Sequence, residues 1–104
     1  MRTLEFRVCG QEIAQAQGCD FSGLIKGTKG YLRARFYFDE EWDGCLVAAS
    51  FFDASGNEHA AQVVDRMCMI PGEALTGGSF AVRLTGVRRG YRITTGKLTV
   101  RQGG

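Results

Sequence analysis

The sequence predicts an all-β fold, an antiparallel β-sandwich of about seven to eight short strands with one short helical turn near residues 71–75, and three observations predict it. Fifteen Gly stand against a single Pro, with Phe, Tyr, Val and Thr prominent. That is the profile of many strands joined by tight turns, because Gly supplies the positive φ angles such turns need. Three segments, Leu4 to Val8, Tyr31 to Phe38 and Ser79 to Leu84, alternate apolar and polar residues with period two. The stretch from Tyr31 to Phe52 concentrates the aromatic side chains, including the only Trp, Trp42, and would supply the largest share of a core. A chain of 104 residues without linker, internal repeat or low-complexity segment is expected to form one domain over residues 1–104.

The elements follow in order. Leu4, Phe6 and Val8 face inward on a first strand that Cys9-Gly10 ends. Residues 11–18 read as a weak strand, and residues 19–30 as a Gly-broken loop in which Phe21, Leu24 and Ile25 are candidate core anchors. Tyr31 to Phe38 is the most regular strand, with Leu32, Ala34, Phe36 and Phe38 on one face and Tyr31, Arg33, Arg35 and Tyr37 on the other. Asp39-Glu40-Glu41 breaks it, Trp42 plugs the end of the core, and Asp43-Gly44 turns the chain. Cys45 to Phe52 is nearly continuous in apolar character, as in a strand buried on both faces or central in its sheet. Residues 53–57 form a hairpin loop by their turn chemistry. Glu58 to Val64 returns as a strand, Asp65-Arg66 turns, and Met67 to Ile70 is a short strand. Pro71 starts the helical turn. Phe80, Val82 and Leu84 point inward on the next strand, and residues 86–90 form a basic hairpin tip. Tyr91 to Thr95 and Leu98 to Val100 complete the pairing before a flexible Gln-Gly-Gly end.

Charge is distributed unevenly around a small net value of +2. Residues 39–75 carry Asp39, Glu40, Glu41, Asp43, Asp53, Glu58, Asp65 and Glu73 against Arg66 alone, whereas residues 76–104 carry only cations, from Arg83 to Arg101. If the fold holds those segments on different faces, the domain is electrically polarised and suited to contact with other copies or a charged partner. Met1 is followed by Arg2, Thr3, Leu4 and Glu5, so no apolar leader and no membrane-spanning run is read, and synthesis in the cytoplasm is expected. Cys9, Cys19, Cys45 and Cys68 are accordingly expected as buried thiols.

No residue pattern defines an active site. Asp39, Glu40, Glu41 and Asp43 lie on one short turn, where carboxylates repel one another in water instead of flanking a substrate, and a solvated acidic turn is the favoured reading. Calcium is left open there, because oxygen ligands close in sequence are followed by Gly44. The Cys spacing and the single His59 disfavour zinc and a Cys-His nucleophile. Gly23, Gly27 and Gly30 match no phosphate-cradling fingerprint, so no cofactor is expected. What the pattern offers is an interaction surface. Tyr31, Arg33, Arg35 and Tyr37 alternate on an outward face, and Arg88, Arg89 and Arg92 surround Tyr91 at the basic tip. Six cations over the last third are few for nucleic-acid binding.

At residues 38–44, FDEEWDG, the chain resembles the amino-terminal β-sandwich domain of baseplate upper proteins and related tail or fibre proteins of phages and prophages of Gram-positive bacteria. The likeness runs in order through Tyr31, Leu32, Ala34 and Phe36, the 38–44 turn, and Phe51. It continues through Cys68, Ile70, Pro71, Glu73 and Leu75, then Gly77 to Phe80 and Arg92 to Thr95, and covers about residues 31–101. Cys45 departs from it, standing where Leu is usual, and the chain ends at Gly104 where members often continue into a fibrous or coiled-coil segment. The resemblance implies an Ig-like sandwich, no catalytic residues, and a structural or docking role in a virion as a homo-oligomer. Two other roles stay open: a small phage-encoded protein that binds and inhibits a host enzyme or defence complex, and a cell-wall carbohydrate binder in which Trp42 and the Tyr rings stack on sugars.

Overall fold

The computed structural model describes residues 1–104, folded as two sheets packed face to face. The strands are β1 (Arg2–Cys9), β2 (Glu12–Gln15), β3 (Leu32–Phe38), β4 (Leu46–Phe52), β5 (Glu58–Val63), β6 (Met67–Met69), β7 (Ser79–Arg88), β8 (Tyr91–Thr94) and β9 (Leu98–Arg101). Two 3₁₀ turns, Glu40–Trp42 and Gly72–Leu75, are the only helical pieces. The first sheet runs β2-β1-β3-β6; the second runs β5-β4-β7, with β8 and β9 both pairing β7. The β-sandwich is as expected. The strand number rises to nine because β8 and β9 are two halves of one edge strand. Between them Thr95 turns inward, its backbone N–H donating to the Leu84 carbonyl and its Oγ1 accepting from the Leu84 N–H, both at 3.0 Å.

One pairing departs from the antiparallel expectation: β1 and β3 are parallel, with Leu4 beside Ala34 and Phe6 beside Phe36. The β1–β2 hairpin returns the chain to the start of β1, and the long loop then crosses that end to reach the far side. Arg2 holds the crossing, its guanidinium donating to the carbonyls of Asp20 and Ser22 at 2.8 and 2.7 Å. Within the loop Leu24 is buried and Phe21 packs edge-on against Phe6 at 5.2 Å, but Ile25 is exposed and is no anchor.

The core lies between the inner rows of the sheets, where Leu4, Phe6, Phe36, Phe51, Phe80 and Leu84 are fully buried. An aromatic ladder runs along the first sheet: Phe6 stacks on Phe36 at 5.3 Å, Phe36 meets Phe38 at 6.0 Å, and Phe38 meets Trp42 at 5.3 Å. Trp42 does plug the core end, at 3% exposure. It lies against Gly86, where a Cβ would come within 2.7 Å of its ring. Gly86 therefore sits inside β7, and the hairpin tip shrinks to Arg89-Gly90 instead of spanning residues 86–90.

Three further expectations are corrected. The terminal Gln-Gly-Gly is tied down: Gln102 is buried, its side-chain amide donates to the carbonyls of Leu75 and Gly77, and the Gly103 N–H donates to the Leu24 carbonyl. Cys45 to Phe52 is central in its sheet, as one of its two readings had it, but it is buried on both faces only over its last residues, and Leu46 and Ala48 point outward into solvent. Of the four free thiols only Cys68 is buried, while Cys9 is exposed and Cys19 and Cys45 are half-buried. Burial pushes the Cys68 thiol up to about 12, which keeps it un-ionised at neutral pH.

The 53–57 loop is built on Asp53. Its carboxylate accepts from the Ser55 and Asn57 backbone N–H groups at 3.0 and 2.9 Å and contacts His59 Nε2 at 3.0 Å. These donors, His59 first, hold the Asp53 carboxyl down at about 2. A carboxylate depressed on folding contributes stability that is present above its unfolded pKa near 4 and is lost as pH falls through about 2. Asp53→Asn is expected to give a flatter stability profile between those values than the wild type, measured by denaturant titration at stepped pH.

Candidate functional site

The outer face of the first sheet gathers most of the residues that the alternation singles out. Parallel register sets Thr3 beside Arg33, Glu5 beside Arg35 and Arg7 beside Tyr37, and β6 adds Met69 next to Arg33 and Met67 next to Arg35. Arg33 Nε donates to Thr3 Oγ1 at 2.7 Å, and the Tyr37 hydroxyl donates to Glu5 Oε2 at 2.7 Å. That carboxylate, by accepting the phenolic proton, raises the Tyr37 pKa above its ordinary value. The Arg35 guanidinium lies 5.4 Å from the centre of the Tyr37 ring. Its Nε is buried without a hydrogen-bond partner.

The result is a cationic and aromatic face held in a fixed pose. Arg7, Arg33 and Arg35 outnumber Glu5 and Glu12, and none of them forms an ion pair, since the only one in the chain joins His59 to Asp53. Tyr37 is 44% exposed, and Tyr31, just before β3, is 49% exposed at the other end of the strand. Locking Arg and Tyr by local hydrogen bonds lowers the entropy a partner must remove, which is how such side chains serve as anchors.

The basic tip does not join this surface. Arg88 donates to the Asp43 carbonyl and stacks over Tyr91 with 3.9 Å between its guanidinium carbon and the ring centre. The Tyr91 hydroxyl donates to the Glu41 carbonyl at 2.8 Å. Arg88 and Tyr91 thus clamp the hairpin onto the acidic turn. Arg92 pairs with Val87 on the outer face of the second sheet, and Arg89 stands exposed in the turn. The acidic and basic segments meet at one end of the sandwich through Arg88, Tyr91 and backbone carbonyls of the turn.

The acidic turn is a staple. Asp39 Oδ1 accepts from the Glu41 N–H at 3.2 Å, and Oδ2 accepts from the Gly10 N–H at 2.9 Å. Trp42 Nε1 donates to the Gly10 carbonyl at 2.9 Å. Both residues grip the β1–β2 turn, where Gly10 adopts a φ of +56°. No group of three or more His, Cys, Asp or Glu side chains is placed to hold a metal ion. The buried Trp42 presents no ring face on which a sugar would stack.

One surface was not anticipated. On the outer face of the second sheet, Leu46 is 77% exposed and pairs with Val87, 44% exposed, while Val64, the residue after β5, is 60% exposed. The sequence signal was present in CLVAASFF, whose lack of alternation means either burial on both faces or an apolar face left open.

No protein-family model matches the chain, no curated protein matches it, and no solved structure matches it. No helix is long and apolar enough to cross a membrane.

Proposed function

We propose that this chain is a non-enzymatic structural and docking module of a phage or prophage tail, baseplate or fibre, assembling with other virion proteins or with copies of itself. The observation that carries it is the outer face of the first sheet: Arg7, Arg33, Arg35 and Tyr37, bordered by Met67 and Met69, with cations that have no acidic partner within the chain. Arg, Tyr and Met are the side chains enriched where proteins meet. The resemblance to phage sandwich domains adds the class of assembly. Its residues fall largely on the framework: Leu32, Ala34, Phe36, Trp42, Phe51, Ile70, Leu75 and Phe80 are all buried.

Inhibition of a host enzyme or defence complex would use the same face, so partner identity separates the two roles. Affinity capture from lysate of a particle-producing culture, with wild-type protein and an Arg33→Glu/Arg35→Glu variant as baits, tests the proposal. Tail or baseplate proteins are expected on the wild type and lost from the variant. Recovery of a host enzyme in their place would contradict it.

A further inference from the structure

We propose that the outer face of the second sheet is a self-association surface, on which a second copy of this chain docks about a two-fold axis running parallel to the strands between β4 and β7. This deepens the docking reading above, and rests on it for the purpose of the surface, but it stands on the opposite side of the sandwich.

The face divides into two halves along the strands. In one half Phe52 also points outward, yet it is only 7% exposed, because Lys97 lies 3.8 Å and Arg83 5.0 Å from its ring centre and cover it. In the other half nothing covers the apolar residues. Leu46 and Val87 are cross-strand partners, Ala48 opposes Thr85 on one side and Gln62 on the other, and exposed Val64 follows β5. A shallow hollow of about 340 Å³ lies among Leu46, Val47, Ala48, Gln62, Thr85 and Val87. Aliphatic side chains this exposed, with no local cover, gain most by burial against another apolar surface.

The flanks choose the occupant. Glu58 and Gln62 on β5, followed by Asp65, make one flank acidic and neutral, whereas Arg83, Arg92, Lys97 and Arg101 make the β7–β9 flank cationic. A two-fold axis along the strands lays the β5 flank of one copy over the β8–β9 flank of the other. Leu46 of each copy then meets Val87 of the other at one end. An axis across the strands would stack arginines on arginines. One symmetry is therefore complementary and the other repulsive, as an isologous interface requires.

The area sets the strength. Four strand positions at ~4.8 Å and a seven-residue β4 at ~3.4 Å per residue give a flat footprint of ~450 Å². That is below the ~800 Å² per partner of a standard interface, so the dimer is a weak, transient one that dissociates on dilution.

Sedimentation equilibrium up to about 1 mM tests this. The wild-type mass is expected to rise with concentration from 11.4 kDa towards twice that value. Leu46→Glu and, independently, Val87→Glu are expected to hold the monomer mass throughout, while Glu12→Ala, exposed on the edge strand of the first sheet, dimerises like the wild type. Both Glu variants alter exposed positions and keep the wild-type circular dichroism spectrum. A wild type that stays monomeric, or folded Glu variants that dimerise unchanged, would overturn the proposal. Particle incorporation distinguishes this failure from failure of the docking reading. A monomeric chain still built into particles removes only self-association, and a dimer never found in particles removes only the virion role.

Discussion

Trp42→Ala is expected to cost about 3–5 kcal/mol of folding stability, as large aromatic truncations in a packed core do. A domain of this size has ~5–15 kcal/mol in all, so the variant falls to the edge of folding. Three losses coincide. The ring leaves a void between Phe38 and Gly86, the bond from Nε1 to the Gly10 carbonyl disappears, and the carbonyl is left to find water. Urea denaturation followed by far-UV circular dichroism measures the change, since the only Trp emission is lost with the residue. Asp39, which grips the same turn from its N–H, keeps β1–β2 partly attached. A loss below about 1 kcal/mol would mean that the turn is not the staple described.

Gly86→Val is expected to be the second most damaging change, at about 1–3 kcal/mol or more. A Cβ at this position would stand 2.7 and 2.8 Å from two carbons of the Trp42 ring and 3.2 Å from the Cys45 Cβ. The ring is packed by Phe38 and tethered at Nε1, so it yields only by giving up those contacts. The mechanism gives a sharper expectation than the magnitude. In a Trp42→Leu background the obstacle is smaller, so Gly86→Val costs less there than in the wild type, and the two changes are non-additive in a double-mutant cycle. Additive losses would place the strain elsewhere.

These two residues mark where the sequence was and was not readable. The strand β3 was legible because its period-two pattern admits one reading, and the inner row Leu32, Ala34, Phe36 is buried as that pattern requires. Gly86 was not legible. Gly punctuates turns more often than strands, and only the position of Trp42, 44 residues earlier in the chain, explains a Gly in the middle of a pair. The parallel pairing of β1 with β3 was hidden for a related reason. Periodicity reports which face is buried, not which neighbour a strand takes, and that choice depends on a loop crossing held by Arg2 through backbone carbonyls that any sequence possesses.

The candidate surfaces were readable to unequal degrees. Tyr37, Arg35 and Arg33 were visible as an outward row, but their partners Glu5 and Thr3 come from β1 and appear only once the strands are adjacent. Arg88 looked like a free cation and is instead spent on Tyr91 and the Asp43 carbonyl. Leu46 was not legible as exposed, because a continuous apolar run cannot say which of its faces is covered.

The most direct test of the docking role is the occupancy of purified particles by the wild-type chain and by an Arg35→Glu/Tyr37→Ala variant, quantified by mass spectrometry against a known structural protein. The wild type is predicted at a fixed whole-number ratio per particle, and the variant, with its fold intact by circular dichroism, is predicted to be absent or reduced at least tenfold, a loss of about 1.4 kcal/mol in binding. Particles that lack the wild-type chain, or that carry the variant at the same ratio, would contradict it.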